Sequence, residues 1–424
     1  MLINFSITNF KSIKEKITFS MEPVGKVKEH PGHIAKREGK KLLKSAIIYG
    51  RNGAGKSNLI EALGALKGIT QFVGGIENGD KVKKIPQYIP FKLDGKTVNQ
   101  PVIFEINFMA SNGMEYNYYI EFTADKIIKE VVRQKKLLNP LFEREGDMII
   151  GKRKEYDEQL GVIEKGLFIN QTVISKLATE KIEELLPVFS FFSGTLVGLD
   201  FNHSSFSDVA IVGIIHMLKL PGFSEISKKL NQLICLADLA IERFEIVPKS
   251  STDKIYKSQK IWETYNKEAA ESGLNYKIIF IHKDNKGKEV KFEFEEESSG
   301  TQKFFHIAFW IIAQFEAKGV LYLDEMDQSL HPELTKLLIE IIQDSKLNPN
   351  SAQLIFASHD VTQLSSMLFR RDEIWFAEKD DLSATTYYTL SDIKGVRPSV
   401  NYEKYYLKGA FGASPVINKK DLDW

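Results

Sequence analysis

The chain has 424 residues, 43% of them hydrophobic and 27% charged, which suits a globular protein of two or three domains, or one large domain carrying an insertion. Its 57 basic and 56 acidic residues leave a net charge of +1, so there is no overall nucleic-acid footprint and only a local basic patch remains open. A single cysteine, Cys235, excludes an intrachain disulfide; it reads as a buried apolar group in a reducing, cytoplasmic setting.

Residues 2–20 read as two short strands, "LINFSITNF" and "KITFSM", around a turn at Lys11-Ser12. The alternation from Met1 to Phe5 lacks the basic-then-apolar order of a secretion signal. Residues 21–45 are basic and turn-rich, and read as a loop. "SAIIYG" predicts a buried strand, and "KSNLIEALGALKGI" has helical spacing. "PVIFEINF", "EYNYYIEFTA" and "IIKEVVRQKKL" alternate, so an antiparallel sheet is expected beside this first strand-helix unit. From residue 140 to about 240 the patterns are helical, without the sustained heptads of a long coiled coil. "NYKIIFIH" and "KEVKFEFEEE" predict a hairpin around Asn285-Lys286-Gly287. Residues 302–360 read helix, strand, helix, strand. Their most apolar window, Phe304 to Leu323, contains His306, Gln314, Glu316 and Lys318, which fits a buried helix and strand and excludes a membrane span.

The chemistry starts at "GRNGAGKSN". Gly50-x4-Gly55-Lys56-Ser57 is the phosphate-binding loop pattern, and it stands where that motif must, after a strand and before a helix. Glycines let the backbone wrap a phosphate, and successive N–H groups supply positive potential. The expected nucleotide-binding set is Asn52, Gly53, Ala54, Gly55, Lys56, Ser57 and Asn58. Lys56 should reach the β- and γ-phosphates, and the Ser57 hydroxyl should ligate Mg²⁺. A glycine-rich turn with a surface lysine would not need that strand-and-helix context.

"GVLYLDEMD" ends a buried strand in two acids. Buried carboxylates are costly unless paired or metal-bound, so Asp324 is expected to hold the metal and Glu325 to act as general base on water. "ESSGTQKFF" lies 25 residues before Asp324, counted from Ser299, and opens another helix. Ser299 and Gly300 there read as a second anion clamp, serving the nucleotide of another subunit; a plain cap by Ser298 or Ser299 is the simpler alternative. "AQLIFASHD" ends a further buried strand at His359, expected to sense the γ-phosphate.

Together these stretches resemble the ABC-type ATPases: "GRNGAGKS" the Walker A motif, "SSGTQ" the signature, "VLYLDE" the Walker B motif, "MDQSLHP" the D-loop and "FASHD" the switch histidine. The start, "INFSITNFKSI", is similar to the RecF, SMC and OLD branch of that superfamily. The ending, "RRDEIWFAEKD" through "YLKGAFGASPVI", is similar to OLD-like AAA ATPases of bacterial abortive-infection systems, such as the ATPase of the PARIS anti-phage system. Thr301 departs from the signature, which usually carries a second glycine there, and Gln87 is a Q-loop candidate by position only.

The resemblance implies an α/β fold: an ABC-type P-loop ATPase head with an antiparallel β subdomain and a helical insertion. The expected segments are 1–139 and 273–391 for the head, 140–272 for the insertion and 392–424 for a tail packing on the head or a partner. It implies ATP and Mg²⁺, with Lys56, Glu325 and His359 as catalytic residues, Ser57 and Asp324 on the metal, and Asp327 at a contact between two heads in a homodimer or larger homo-oligomer. It also implies anti-phage defence, with a TOPRIM-type nuclease from the same operon as effector and a phage protein as trigger. No TOPRIM-like acidic set follows residue 360 in this chain. The alternative is a RecF-like repair ATPase that binds DNA through Lys40-Lys41, Lys81-Lys83-Lys84 or Lys135-Lys136, although a solvated face is the ordinary role of such runs.

Overall fold

The computed structural model describes residues 1–77, 81–199, 204–238, 240–250 and 267–412. They form two compact units. The first comprises Met1–Gly198, Ala317–Glu325 and Ile342–Trp424, and the second Leu199–Glu316 and Met326–Ile341.

The first unit carries two sheets. In one, Leu2–Thr8 pairs antiparallel with Ile17–Ser20 on one side and Val102–Met109 on the other, and Glu115–Phe122, Ile127–Gln134, Phe142–Glu145 and Met148–Lys152 follow in order. Burial alternates residue by residue from Val102 to Phe108 and along Glu115–Phe122, as a sheet with one wet face requires. The inner face packs Phe5, Phe10, Phe104 and Phe122 with ring centroids 5.4–5.7 Å apart.

The other sheet runs Leu196–Leu199, Val320–Leu323, Gln353–Ala357, Ser45–Tyr49, Ile374–Lys379, Thr385–Thr389. Ser45–Tyr49 lies parallel to both its neighbours, and Thr385–Thr389 closes the edge antiparallel. All residues of Ser45–Tyr49 and Gln353–Ala357 are buried, which explains their continuous apolar runs. Lys56–Gln71 is the helix that follows the loop after Tyr49. The C-terminal helix Tyr402–Leu407 sets Tyr406 against Phe376 at 5.6 Å and Tyr49 at 6.0 Å. Of the expected tail, residues 413–424 lie outside the described residues.

The second unit holds Ser204–Lys219, Ser224–Ala237, Lys267–Leu274 and most of Ser299–Ala317 as helices, with an antiparallel sheet of Ile241–Pro248, Tyr276–Lys283 and Glu289–Glu293. Phe244, Phe280 and Phe294 gather on Phe305 with centroids 5.2–5.8 Å away.

Three expectations change. Residues 34–43 are not loop but a hairpin, Ile34–Arg37 with Lys40–Leu43; Glu38 and Gly39 take the two positive-φ places of its turn (φ 46° and 79°), and its basic residues fall on both faces, so no alternation marks it. Residues 140–152 add two strands to the antiparallel sheet, so the helical stretch starts later than residue 140, and the first unit runs on to Gly198. Ile241–Pro248 is a strand inside the segment expected to be helical.

Candidate functional site

Three buried strands end level. Leu323 stands opposite Phe356, and Phe356 opposite Ile47. Their carboxyl ends therefore open onto one edge of the sheet, where parallel α/β sheets bind ligands. Beyond them lies a cleft of about 400 Å³ lined by Asn52, Gly53, Gly55, Lys56, Ser57, Asn58, Glu325 and His359.

The loop from Gly50 to Gly55 is shaped by its glycines. A Cβ on Gly50 would stand 2.6 Å from the Ala377 carbonyl oxygen, so the chain passes that strand too closely for a side chain. Gly55 has φ 102° and caps the helix Lys56–Gln71; its Cβ would meet Thr385 Oγ1 at 2.5 Å and Ser12 Oγ at 2.9 Å. Gly55→Ala is therefore expected to lower the unfolding free energy by about 1–3 kcal/mol, read as the shift in a urea midpoint; an unshifted midpoint would mean that the loop can rearrange.

Lys56 is 5% exposed. Its Nζ donates to the Gly50 carbonyl at 2.9 Å and reaches Arg51 O at 3.4 Å and His359 Nδ1 at 3.5 Å. His359 Nε2 lies 3.7 Å from Glu325 Oε1. The three residues named as catalytic thus form one chain across the cleft, Lys56 to His359 to Glu325. Glu325 has φ 48°, a left-handed backbone that non-glycine residues adopt rarely and that gathers at functional sites. Asp324 Oδ1 accepts the Glu325 N–H at 3.1 Å.

The turn carrying His359 is held on both sides. Asp360 N donates to Ser358 Oγ at 2.9 Å, and Tyr49 Oη donates to the Asp360 carbonyl at 3.0 Å. Asp360 itself caps the turn Val361–Gln363 by accepting from Thr362 N. Ala54 differs from the rest of its set: its side chain is fully buried and does not line the cleft.

Three residues escaped the sequence reading. Ser12, Thr385 and Tyr387 back the phosphate loop from behind, with Thr385 Oγ1 on the Ala54 carbonyl at 2.8 Å and Tyr387 Oη on the Gly55 carbonyl at 2.6 Å. Burial pushes the Tyr387 phenol far up, so it stays a donor. Lys11 is a fourth: burial pushes its ammonium down, the Asp324 charge opposes that shift, and it pairs with Glu61.

Gln87 lies beside the far part of the helix Lys56–Gln71, away from the cleft. A Cβ on Gly68 would touch Gln87 Nε2 at 2.7 Å, which places that side chain three turns along the helix, about 18 Å from Lys56 at 1.5 Å per residue.

Ser299, Gly300 and Asp327 belong to the second unit. The cap of the helix Ser299–Ala317 is Ser298, whose Oγ accepts Thr301 N at 3.1 Å and shares a 2.9 Å bond with Thr301 Oγ1. The hydroxyl where a second glycine is usual therefore serves the cap. A Cβ on Gly300 would stand 2.8 Å from the Ser329 carbonyl oxygen, so the segment after Asp327 packs directly on this helix start. A cavity of about 270 Å³ opens beside it, lined in part by Ser298, Gly300, Thr301, Ser329 and His331.

A family model described as "AAA domain, putative AbiEii toxin, Type IV TA system" matches residues 45–365 of the 424. The chain belongs to this family. The match starts at the strand before the phosphate loop and ends just past His359, so it leaves out Ser12, Thr385 and Tyr387. No curated protein matches this AbiEii-type chain. Solved structures that resemble it include the SMC head bound to the C-winged helix domain of ScpA, with 13% identity, a TM-score of 0.47, and 92% of this chain and 97% of that one covered. The SMC head domain from Thermotoga maritima has 13% identity and a TM-score of 0.38, covering 92% and 98%. The recombination mediator RecF with ATP has 14% identity and a TM-score of 0.35, covering 84% and 93%.

Among the described residues no helix is long and apolar enough to cross a membrane, and no cluster of three or more His, Cys, Asp or Glu side chains could hold a metal alone.

Proposed function

We propose that this chain hydrolyses ATP, and that the reaction switches an anti-phage assembly rather than making a useful product. The observation that carries the ATPase reading is the Lys56, His359 and Glu325 chain across a cleft floored by a glycine loop. Lys56 would bind the β- and γ-phosphates. Glu325 would take a proton from water as its oxygen bonds to the γ-phosphorus and the bond to the bridging oxygen breaks. His359, between the two, would register whether the γ-phosphate is present.

Mg²⁺ keeps several waters and takes only one or two protein oxygens beside the phosphates. Ser57, which lines the cleft, and Asp324, directly after the buried strand Val320–Leu323, would supply that small share, and a bound Mg²⁺ would neutralise phosphate charge. Ser299, Gly300 and Asp327 would complete the site of a second copy, in a homodimer or larger homo-oligomer. The defence role is supported by the AbiEii-type family and by the tail's resemblance to OLD-like ATPases, and we place a TOPRIM-type nuclease as the effector held or released.

The DNA-clamping alternative has less support. Lys40 lies 3.0 Å from Glu115 and 3.6 Å from Glu22, Lys135 is 3.1 Å from Glu115, and Lys84 is 3.4 Å from Asp125. Carboxylates thus interrupt each basic run. The test is native mass by light scattering, with ATP, of Glu325→Gln protein expressed with its genomic neighbour. A discrete ATP-dependent assembly containing the neighbour is expected. A bare dimer that ignores it would move the reading to the DNA clamp, to be followed by DNA binding in graded salt.

A further inference from the structure

The strand Thr385–Thr389 lies outside the family match, yet it touches the phosphate loop at two successive carbonyls. Thr385 and Tyr387 are two apart, so they share the face turned to that loop. Thr385 Oγ1 donates to Ala54 O at 2.8 Å and Tyr387 Oη to Gly55 O at 2.6 Å. Thr385 is 2% exposed.

Donor counting gives this network a direction. A hydroxyl has one proton. Thr385 spends its proton on Ala54 O, so at the 2.6 Å contact between Ser12 Oγ and Thr385 Oγ1 the donor is Ser12. Ser12 Oγ in turn accepts from Asn58 Nδ2. The relay runs from the Asn58 amide through Ser12 and Thr385 to the Ala54 carbonyl, and Thr385 N closes it onto Ser12 O at 2.7 Å. It ties both chain ends to the loop.

A trans peptide unit holds its C=O and N–H on opposite edges. Pinning Ala54 O and Gly55 O behind the loop therefore turns the next two N–H groups, those of Gly55 and Lys56, the other way. Gly55 and Lys56 line the cleft. We propose that Thr385 and Tyr387 are positioning residues for nucleotide binding, their hydroxyls holding the Ala54 and Gly55 peptides so that two N–H groups stay aimed into the cleft as a preset phosphate nest. The inference rests on the nucleotide reading of that cleft. A nest already oriented loses less ordering entropy on binding than one that must turn its peptides first.

The test compares wild type with Tyr387→Phe, Thr385→Val and Thr385→Ser, in full-length protein. ATP and ADP affinities are read by titration with a fluorescent nucleotide analogue and competition, KM and kcat by phosphate release, and folding by melting of the nucleotide-free protein. Loss of either hydroxyl should weaken ATP and ADP binding by about tenfold, the effect of one hydrogen bond. KM should rise with kcat nearly unchanged, because the nest holds ground state and transition state alike. Thr385→Ser keeps the hydroxyl and should restore affinity. Variants that bind as wild type does, or that only melt earlier while KM stays put, would overturn the inference and leave the ATPase reading standing. A wild-type protein that binds no nucleotide would overturn both. If Tyr387→Phe fails to fold, the Thr385→Val and Thr385→Ser pair decides the matter.

Discussion

Glu325→Gln should slow phosphate release by roughly 10²–10⁴-fold, the usual contribution of a positioned general base, while nucleotide binding persists. Glutamine keeps the shape of the side chain and loses only its ability to take a proton. The left-handed backbone at residue 325 and the neighbouring Asp324 contact stay available, since neither depends on the carboxylate. Single-turnover release with equilibrium binding on the same protein separates the two effects. A loss under tenfold would shift the base to His359, whose Nε2 is 3.7 Å from the Glu325 carboxylate. A simultaneous loss of binding would instead mean that Glu325 shapes the cleft.

The parts of the site visible in the sequence are those whose chemistry is local. A glycine loop between a buried strand and a helix, two acids after a buried strand, and a histidine after a third can each be read within about ten residues, because strand burial and loop geometry are encoded there. Their convergence follows from parallel pairing, which sets Leu323, Phe356 and Ile47 level. The backing of the loop could not be read in this way. Ser12 and Thr385 meet across 373 positions, and nothing in "TTYYT" marks its alternate hydroxyls as turned to the phosphate loop. Thr301 is the opposite case. It departs from the signature, and its hydroxyl bonds the capping Ser298, so a local hydrogen bond accounts for it.

Two of the three fold differences fall where charged side chains interrupt the apolar pattern of a strand. In the hairpin of Ile34–Arg37 and Lys40–Leu43 the basic residues fall on both faces, Lys36 and Lys41 on one and Arg37 and Lys40 on the other, while Phe142–Glu145 alternates Phe142 and Arg144 inward with Glu143 and Glu145 outward. An arginine on the buried face breaks the apolar pattern. It can stand there only because a carboxylate and several carbonyls meet it.

That arginine should carry a large share of the stability. Arg144 and Glu130 are both fully buried, with Arg144 Nη1 3.7 Å from Glu130 Oε2. Arg144 also donates to the carbonyls of Gly146, Gln171, Phe168 and Ile169, while Glu130 accepts from Tyr118 Oη and from Val173 and Ile174 N–H. The pair therefore pins the segment 168–174 to the antiparallel sheet. Arg144→Met removes the cation and leaves the carboxylate buried, which should lower stability by about 3–5 kcal/mol near neutral pH. The sign of the pH dependence follows from Glu130. Burial raises its pKa, and the Arg144 charge pulls it back down. A folded state that holds this proton more tightly than the unfolded chain loses stability as pH rises from the ordinary carboxylate pKa through the raised one. Without Arg144 the folded pKa climbs further and that window widens, so the deficit of Arg144→Met should grow from pH 5 to pH 8 in urea denaturation. Equal deficits at both pH values would assign the loss to the emptied volume and the four abandoned carbonyls rather than to the stranded charge. Glu130→Gln, which keeps the shape and drops the charge, should show no such growth with pH.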